Sequence, residues 1–208
     1  MGKKTGKQTY HFANPPVVIS TGTVAGPFEG QGPLHADFDE ILTDPRNNET
    51  TFEKAERSML TKACQFALDH ASCATTEVDL FLAGDLLNQI ISSNFTAVTL
   101  GIPFLGLYGA CSTAALSLGL GAMLLDGGFA GTVLTATVSH NSTAERQYRF
   151  PTEYGAQRRP YQQWTVTGAG AALLGYDRPG PKITAVTFGK VIDLGSTDPL
   201  NMGAAMAP

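Results

Sequence analysis

Hydrophobic residues in this chain fall into two alternating patterns. Short apolar runs bounded by turn residues occur at Pro16–Thr23 (PVVISTGT), Val78–Ala83 (VDLFLA), Phe104–Tyr108 (FLGLY) and Thr132–Ser139 (TVLTATVS). Their length and their Val, Ile, Phe and Thr content predict strands. Thr165–Tyr176 and Lys182–Ile192 read as two further strands. Between the runs the spacing changes to that of helices. Phe52, Ala55, Met59, Ala63, Phe66 and Ala67 recur on one helical face, and the helix stops near His70. Thr50 and Glu53 have the spacing of a capping box at its start. Residues 89–99 predict a second helix, and small residues from Ala114 to Ala122 a third, closed by Asp126-Gly127-Gly128. Residues 24–49 are rich in Gly and Pro and read as an ordered loop.

Strands that alternate with helices predict an α/β layered fold with a mostly parallel sheet. Ligands in such sheets sit at the C-terminal ends of the strands. Asp85, Cys111 and His140 each follow a different predicted strand, so the topology is expected to bring them together.

Composition narrows the function classes. At 208 residues the chain suits one domain. Only 15% of residues are charged and 23 are Gly, which predicts closely packed backbones. The net charge is −4 and no long basic block is present, so nucleic-acid binding is not expected. Three cysteines, Cys64, Cys73 and Cys111, form no paired spacing and no zinc pattern, which fits a reducing compartment. The polar, basic N-terminus is not a signal peptide. No charge occurs from Leu86 to Leu125, but Gly101, Pro103, Gly106 and Gly109 interrupt the run. A buried strand followed by a buried helix accounts for it better than a membrane span.

Cys111 is the sharpest candidate. It lies on a Gly-Ala turn between an apolar strand and a helix start, where the helix dipole favours a thiolate or a bound carboxylate. Packing as a small apolar residue is the alternative. His140 and Asn141 end a strand and could donate to an anion, or be ordinary loop residues. Asp85 could orient His140, contact a ligand or cap the next helix. Residues 145–159 carry Arg146, Arg149, Arg158 and Arg159, whose planar forks suit carboxylates but equally suit internal ion pairs. Gly168-Ala169-Gly170 lies within a strand pattern with no helix behind it. It reads as close packing, not as a dinucleotide fingerprint. Cys64 and Cys73 read as packing residues.

The unit Gly109-Ala110-Cys111-Ser112 before a helix resembles the nucleophile turn of the thiolase superfamily, ketoacyl synthases included, and TVTGAGAALL at 165–174 resembles its later Gly-Ala strand. TGKQTY at 5–10, FLAGDLLNQ at 81–89, IPFLGLYGACSTA at 102–114, DGGFA at 126–130, SHNSTAERQYRFPTEYG at 139–155 and the ending NMGAAMAP resemble, more narrowly, the stage V sporulation protein AD family. That resemblance implies a thiolase-like fold of which this chain, 1–208, is the N-terminal half. It implies binding of dipicolinic acid, alone or with calcium, without catalysis. The implied ligand contacts are Cys111, Asp85, His140, Asn141, Ser112 and Arg146, with no metal held by the protein itself. The implied partners are membrane proteins of the stage V sporulation A group, and the implied location is the cytoplasmic side of a sporulating bacterium, peripheral to the inner spore membrane. The catalytic His of the superfamily belongs to a second half, so acyl transfer through Cys111 is the alternative, as is a non-catalytic scaffold on membrane partners. The uncharged helix at 114–125, bare without that half, would invite a homodimer.

Overall fold

The computed structural model describes residues 3–143, 165–195 and 197. Its core is a six-stranded sheet between helices. The strands are β3 (Val17–Ala25), β4 (Glu40–Ile41), β5 (Leu80–Asp85), β6 (Phe104–Gly106), β7 (Val133–Ser139) and β8 (Gly168–Gly175), in the order β4-β3-β8-β7-β5-β6. The helices are α1 (Phe52–His70), α2 (Ile91–Leu100) and α3 (Thr113–Asp126). α1 lies over β3, β8 and β7 with α2 beside it, and α3 crosses β7, β5 and β8. Separate apolar clusters fill the two faces. Met59, Leu60 and Phe81 anchor the α1 side, and Leu82, Leu125 and Leu174 the α3 side.

Five of the six strands run the same way, as expected for a mostly parallel sheet. β8 is antiparallel to both neighbours, with Val24↔Ala169 on one side and Val138↔Ala169 on the other. The reason is visible in the chain. The segment between β7 and β8 reads in the sequence as a polar loop, and a parallel return requires a crossover, usually a helix.

Local chemistry explains the element boundaries. Thr51, one residue beyond the expected Thr50, caps α1 by accepting a hydrogen bond from the Lys54 N–H at 3.2 Å. Gly22 lets α1 lie directly on β3, since a Cβ there would overlap the Ala63 carbonyl. The uncharged stretch 86–125 becomes α2, β6 and α3, and no described helix is long and apolar enough to cross a membrane.

The expected strand at 182–192 is a correction. Only β9 (Ala185–Thr187) forms, and it lies outside the main sheet. It pairs with β2 (Thr9–His11), which pairs with β1 (Lys3–Thr5), in a small antiparallel sheet. Glycine makes the docking possible: a Cβ on Gly119 of α3 would come within 2.6 Å of the Val186 side chain, so the small sheet is seated on α3. Cys64 is wholly buried, which pushes its thiol pKa up, and Cys73 packs at the core margin. Both are packing residues, as expected.

Candidate functional site

The turn before α3 is built to present Cys111. Gly109 has no room for a side chain, because a Cβ would stand 2.7 Å from the Ser112 hydroxyl. Ala110 has φ +46°, a left-handed conformation that costs a non-glycine residue roughly 1–2 kcal/mol. The surrounding turn holds it there. The Thr113 hydroxyl accepts from the Gly109 N–H at 3.1 Å and donates to the Ala110 carbonyl at 2.8 Å. The Ser112 hydroxyl donates to the Gly109 carbonyl at 2.7 Å, so Ser112 secures the turn and leaves the start of α3 without a side-chain cap. Cys111 is exposed as a result.

A cavity of about 460 Å³ opens beside it. Ala110, Cys111 and Ala114 form one wall; Thr137–Ser139 of β7, Gly168–Gly170 of β8 and Thr23–Ala25 of β3 form another. Leu86, Phe38, Glu29 and Thr165–Thr167 complete the lining. This is the C-terminal end of β3, β5 and β7, where the sheet topology places a ligand. Glu29 is the one charged side chain among these described residues. Its Oε1 accepts from the Thr167 N–H at 2.9 Å, which ties the carboxylate into the wall.

Asp85 and His140 take other roles. Asp85 is fully buried and caps α2: its carboxylate accepts from the Ser92 and Ser93 N–H groups at 2.6 and 2.9 Å and from the Ser93 hydroxyl at 2.5 Å. Burial raises its pKa, and those hydrogen bonds offset part of the rise. It is therefore a helix cap and not a lining residue. His140 is fully buried against Phe52, ring centroids 5.1 Å apart. Its Nδ1 accepts from the Ser142 N–H at 3.0 Å, so Nε2 carries the hydrogen and donates to the Pro45 carbonyl at 2.7 Å. Burial lowers its pKa, against the Pro45 hydrogen bond and the Glu29 and Glu53 carboxylates. Both ring nitrogens are engaged away from Cys111, so the expected convergence of Asp85, Cys111 and His140 does not occur. Asn141 supports the wall through its backbone N–H, donated to the Thr167 hydroxyl at 3.0 Å. Arg146 and the rest of its loop lie outside the described residues.

The family model of stage V sporulation protein AD matches residues 6–208. This chain belongs to the stage V sporulation protein AD family. Stage V sporulation protein AD of Bacillus subtilis (strain 168) is 48% identical over 206 residues, which cover 99% of this chain and 61% of that protein. The chain thus spans less than two thirds of that relative's length. Among solved structures, 3-oxoacyl-[acyl-carrier-protein] synthase III from Aquifex aeolicus superposes with a TM-score of 0.55 at 18% identity, covering 79% of this chain and 55% of that one. A fungal type III polyketide synthase gives 0.55 at 12% identity, covering 81% and 59%. Both likenesses concern the fold, which is thiolase-like as the sequence indicated.

Gly170 departs from its sequence reading in this family member, and Glu56 was not singled out at all. Gly170 was expected to mark close packing, yet nothing lies within 4 Å of where its Cβ would stand. Its missing side chain leaves the cavity open. Glu56 of α1 was passed over as part of a core helix. It is 1% exposed, and its carboxyl accepts from the Thr143 hydroxyl at 2.9 Å. Burial, then the nearby Asp85 carboxylate, push its pKa up to about 8, against the Thr143 and Ser92 hydroxyls. Its sequence signal was available: Glu56 stands four residues after Phe52 and three before Met59, inside the apolar stripe of α1.

Proposed function

We propose that the cavity beside Cys111 binds dipicolinic acid, free or as its calcium chelate, and that the protein serves dipicolinate uptake into the developing spore as a peripheral partner of stage V sporulation A membrane proteins. The observation that carries this reading is an apolar cavity that meets an uncapped helix start at an exposed Cys111. Apolar walls suit the flat ring, while the α3 dipole at the uncapped helix start suits a carboxylate. Family membership supports the sporulation role.

Calorimetric titration of dipicolinic acid into the folded chain, with and without calcium, tests it. Saturable binding is expected. Gly170→Val points a side chain into the open cavity from a strand position that favours Val, so the variant is expected to fold and to lose at least tenfold in affinity. Cys111→Ala is expected to keep the fold and change affinity. Unaltered affinity in a folded Gly170→Val variant places the ligand elsewhere.

The exposed thiol at a helix start favours a second reading, acyl transfer through Cys111. Its weak point is the base: among the described lining residues there is no His, Lys or Arg, the one carboxylate, Glu29, is tied to the Thr167 N–H, and His140 is committed to Pro45. Incubation with acyl-CoA followed by intact-mass measurement decides it. An acyl mass at Cys111 supports transfer, and its absence removes this reading.

A further inference from the structure

Glu56 is a buried acid that does not itself line the cavity. Only one of its oxygens is paired. The Thr143 hydroxyl donates to Oε2 at 2.9 Å, while Oε1 is buried with no hydrogen-bond partner among the described residues. A neutral carboxyl tolerates that position far better than a carboxylate with a bare oxygen in a packed interior. The surrounding charges give no relief. Asp85 of β5 and Glu53, three residues earlier on α1, are both acidic, and they add to the burial that raises the Glu56 pKa to about 8. β3, β7 and β8, on which α1 lies, carry no charged residue, and neither does α2. The corner 140–143 carries one titratable group, His140, whose ring nitrogens are bonded to Pro45 and Ser142. Arg46 and Arg57, the cations nearest in sequence on either side, lie over the rings of Phe52 and Phe95.

Thr143 connects this acid to the cavity. Its N–H donates to the His140 carbonyl at 3.0 Å, and its hydroxyl stands 3.2 Å from the same oxygen, which closes the turn 140–143. Within that turn the Asn141 N–H donates to the Thr167 hydroxyl at 3.0 Å. The Thr167 N–H then donates to Glu29 Oε1 at 2.9 Å, and its carbonyl accepts from the Gly26 N–H at 2.7 Å. Thr167 and Glu29 both line the cavity. A series of hydrogen bonds thus runs from a buried acid on α1 to the cavity wall. An ionised Glu56 needs water, and the short turn 140–143 can open at less cost than the packed helices and sheet on its other sides.

We infer that Glu56 is a positioning residue for the cavity: its protonated carboxyl holds the Thr167–Glu29 wall in the binding form, and its ionisation releases that wall through Thr143. The inference rests on the cavity being the ligand site, as proposed above, and adds control of that site by pH. The sign follows from the burial. Below the folded pKa the carboxyl is neutral and the wall is closed; above it the closed, binding form is depleted. Apparent affinity scales with the fraction of binding-competent molecules, so one pH unit above the folded pKa it is expected to have fallen by about tenfold.

Calorimetric titration of dipicolinic acid into the full chain and into Glu56→Gln, at steps from about pH 6 to about pH 9, tests it. Gln keeps an acceptor for the Thr143 hydroxyl and cannot ionise. The ratio of affinities, variant over parent, is expected to rise about tenfold across that range. Groups common to both proteins, Cys111 and His140 included, cancel in the ratio. A ratio that stays level or falls while the parent binds saturably overturns the inference and leaves the cavity reading in place. Absence of binding to either protein removes the cavity reading, and hydrogen exchange then decides the coupling. With intrinsic exchange rates divided out, the amides of Asn141, Thr143 and Thr167 are expected to lose protection in the parent as pH rises and to keep it in Glu56→Gln. Equal protection in the two proteins at every pH overturns the inference.

Discussion

Glu56→Gln is expected to make the protein more stable above neutral pH, by roughly 2–4 kcal/mol at pH 8. Glu56 has its pKa raised by burial to about 8 from an unfolded value of 4.5. Between those two values the folded chain holds a proton that the unfolded chain has released. Stability attributable to this group is therefore fully present below the unfolded value, falls as pH rises, and reaches its minimum once pH exceeds the folded value. The full shift corresponds to an upper figure of about 5 kcal/mol, reduced by whatever the site relaxes. Gln keeps an acceptor for the Thr143 hydroxyl and removes the titration. His140 titrates in both proteins, so the difference between their urea-unfolding profiles reports Glu56 together with its coupling to Asp85. That difference is expected to grow from pH 5 to pH 8 and then level. A difference that does not vary with pH would show that Glu56 is ionised in the fold. The acid has a structural reason to be there: through Thr143, whose N–H donates to the His140 carbonyl at 3.0 Å, it holds the corner 140–143 that carries the cavity wall.

Gly84→Ala is expected to cost about 3 kcal/mol or more, and to disturb the Cys111 turn as well. A Cβ at Gly84 would overlap the Leu107 carbonyl and stand 2.8 Å from the Thr113 methyl. Neither neighbour can retreat easily. The Leu107 N–H is bonded to the Ala83 carbonyl at 2.9 Å, and Thr113 is 1% exposed and staples the turn. Relief requires β5 and the 107–113 segment to part, which moves Ala110 out of its constrained conformation. The urea midpoint is expected to fall and alkylation of Cys111 to change rate in the same variant. Gly170→Ala is the matched control, since its Cβ meets open space, and it is expected to unfold near the parent midpoint. Equal midpoints for the two variants would remove the packing argument at Gly84.

The fold was legible where periodicity is strong. α1, α3, β3, β5 and β7 appear within a few residues of their expected positions because apolar spacing and turn residues mark both their faces and their ends. Direction in the sheet was less legible. The reversed β8 depends on what connects it to β7, and strand composition alone does not encode orientation. The β1-β2 hairpin was missed because its segments are polar and three residues long, and its stability comes from pairing with β9 and from packing on Gly119. Of the site, Cys111 was legible from the Gly-Ala turn before a helix. Placement at a strand end could not reveal which way a side chain turns, and Asp85 and His140 both found backbone partners on other elements.

The pairing of distant strands sets the order in which this chain can fold. β3, at Val17–Ala25, has its long antiparallel partner in β8, at Gly168–Gly175, and β2 waits for β9. Until those late segments leave the ribosome, β3 has only the two-residue β4 beside it in the sheet, and α1 has no β8 to cover. Contacts so distant in sequence slow folding and lengthen the life of exposed strand edges. The nascent chain is therefore most open to aggregation, and most dependent on chaperones, while β7 is complete and β8 is still being made.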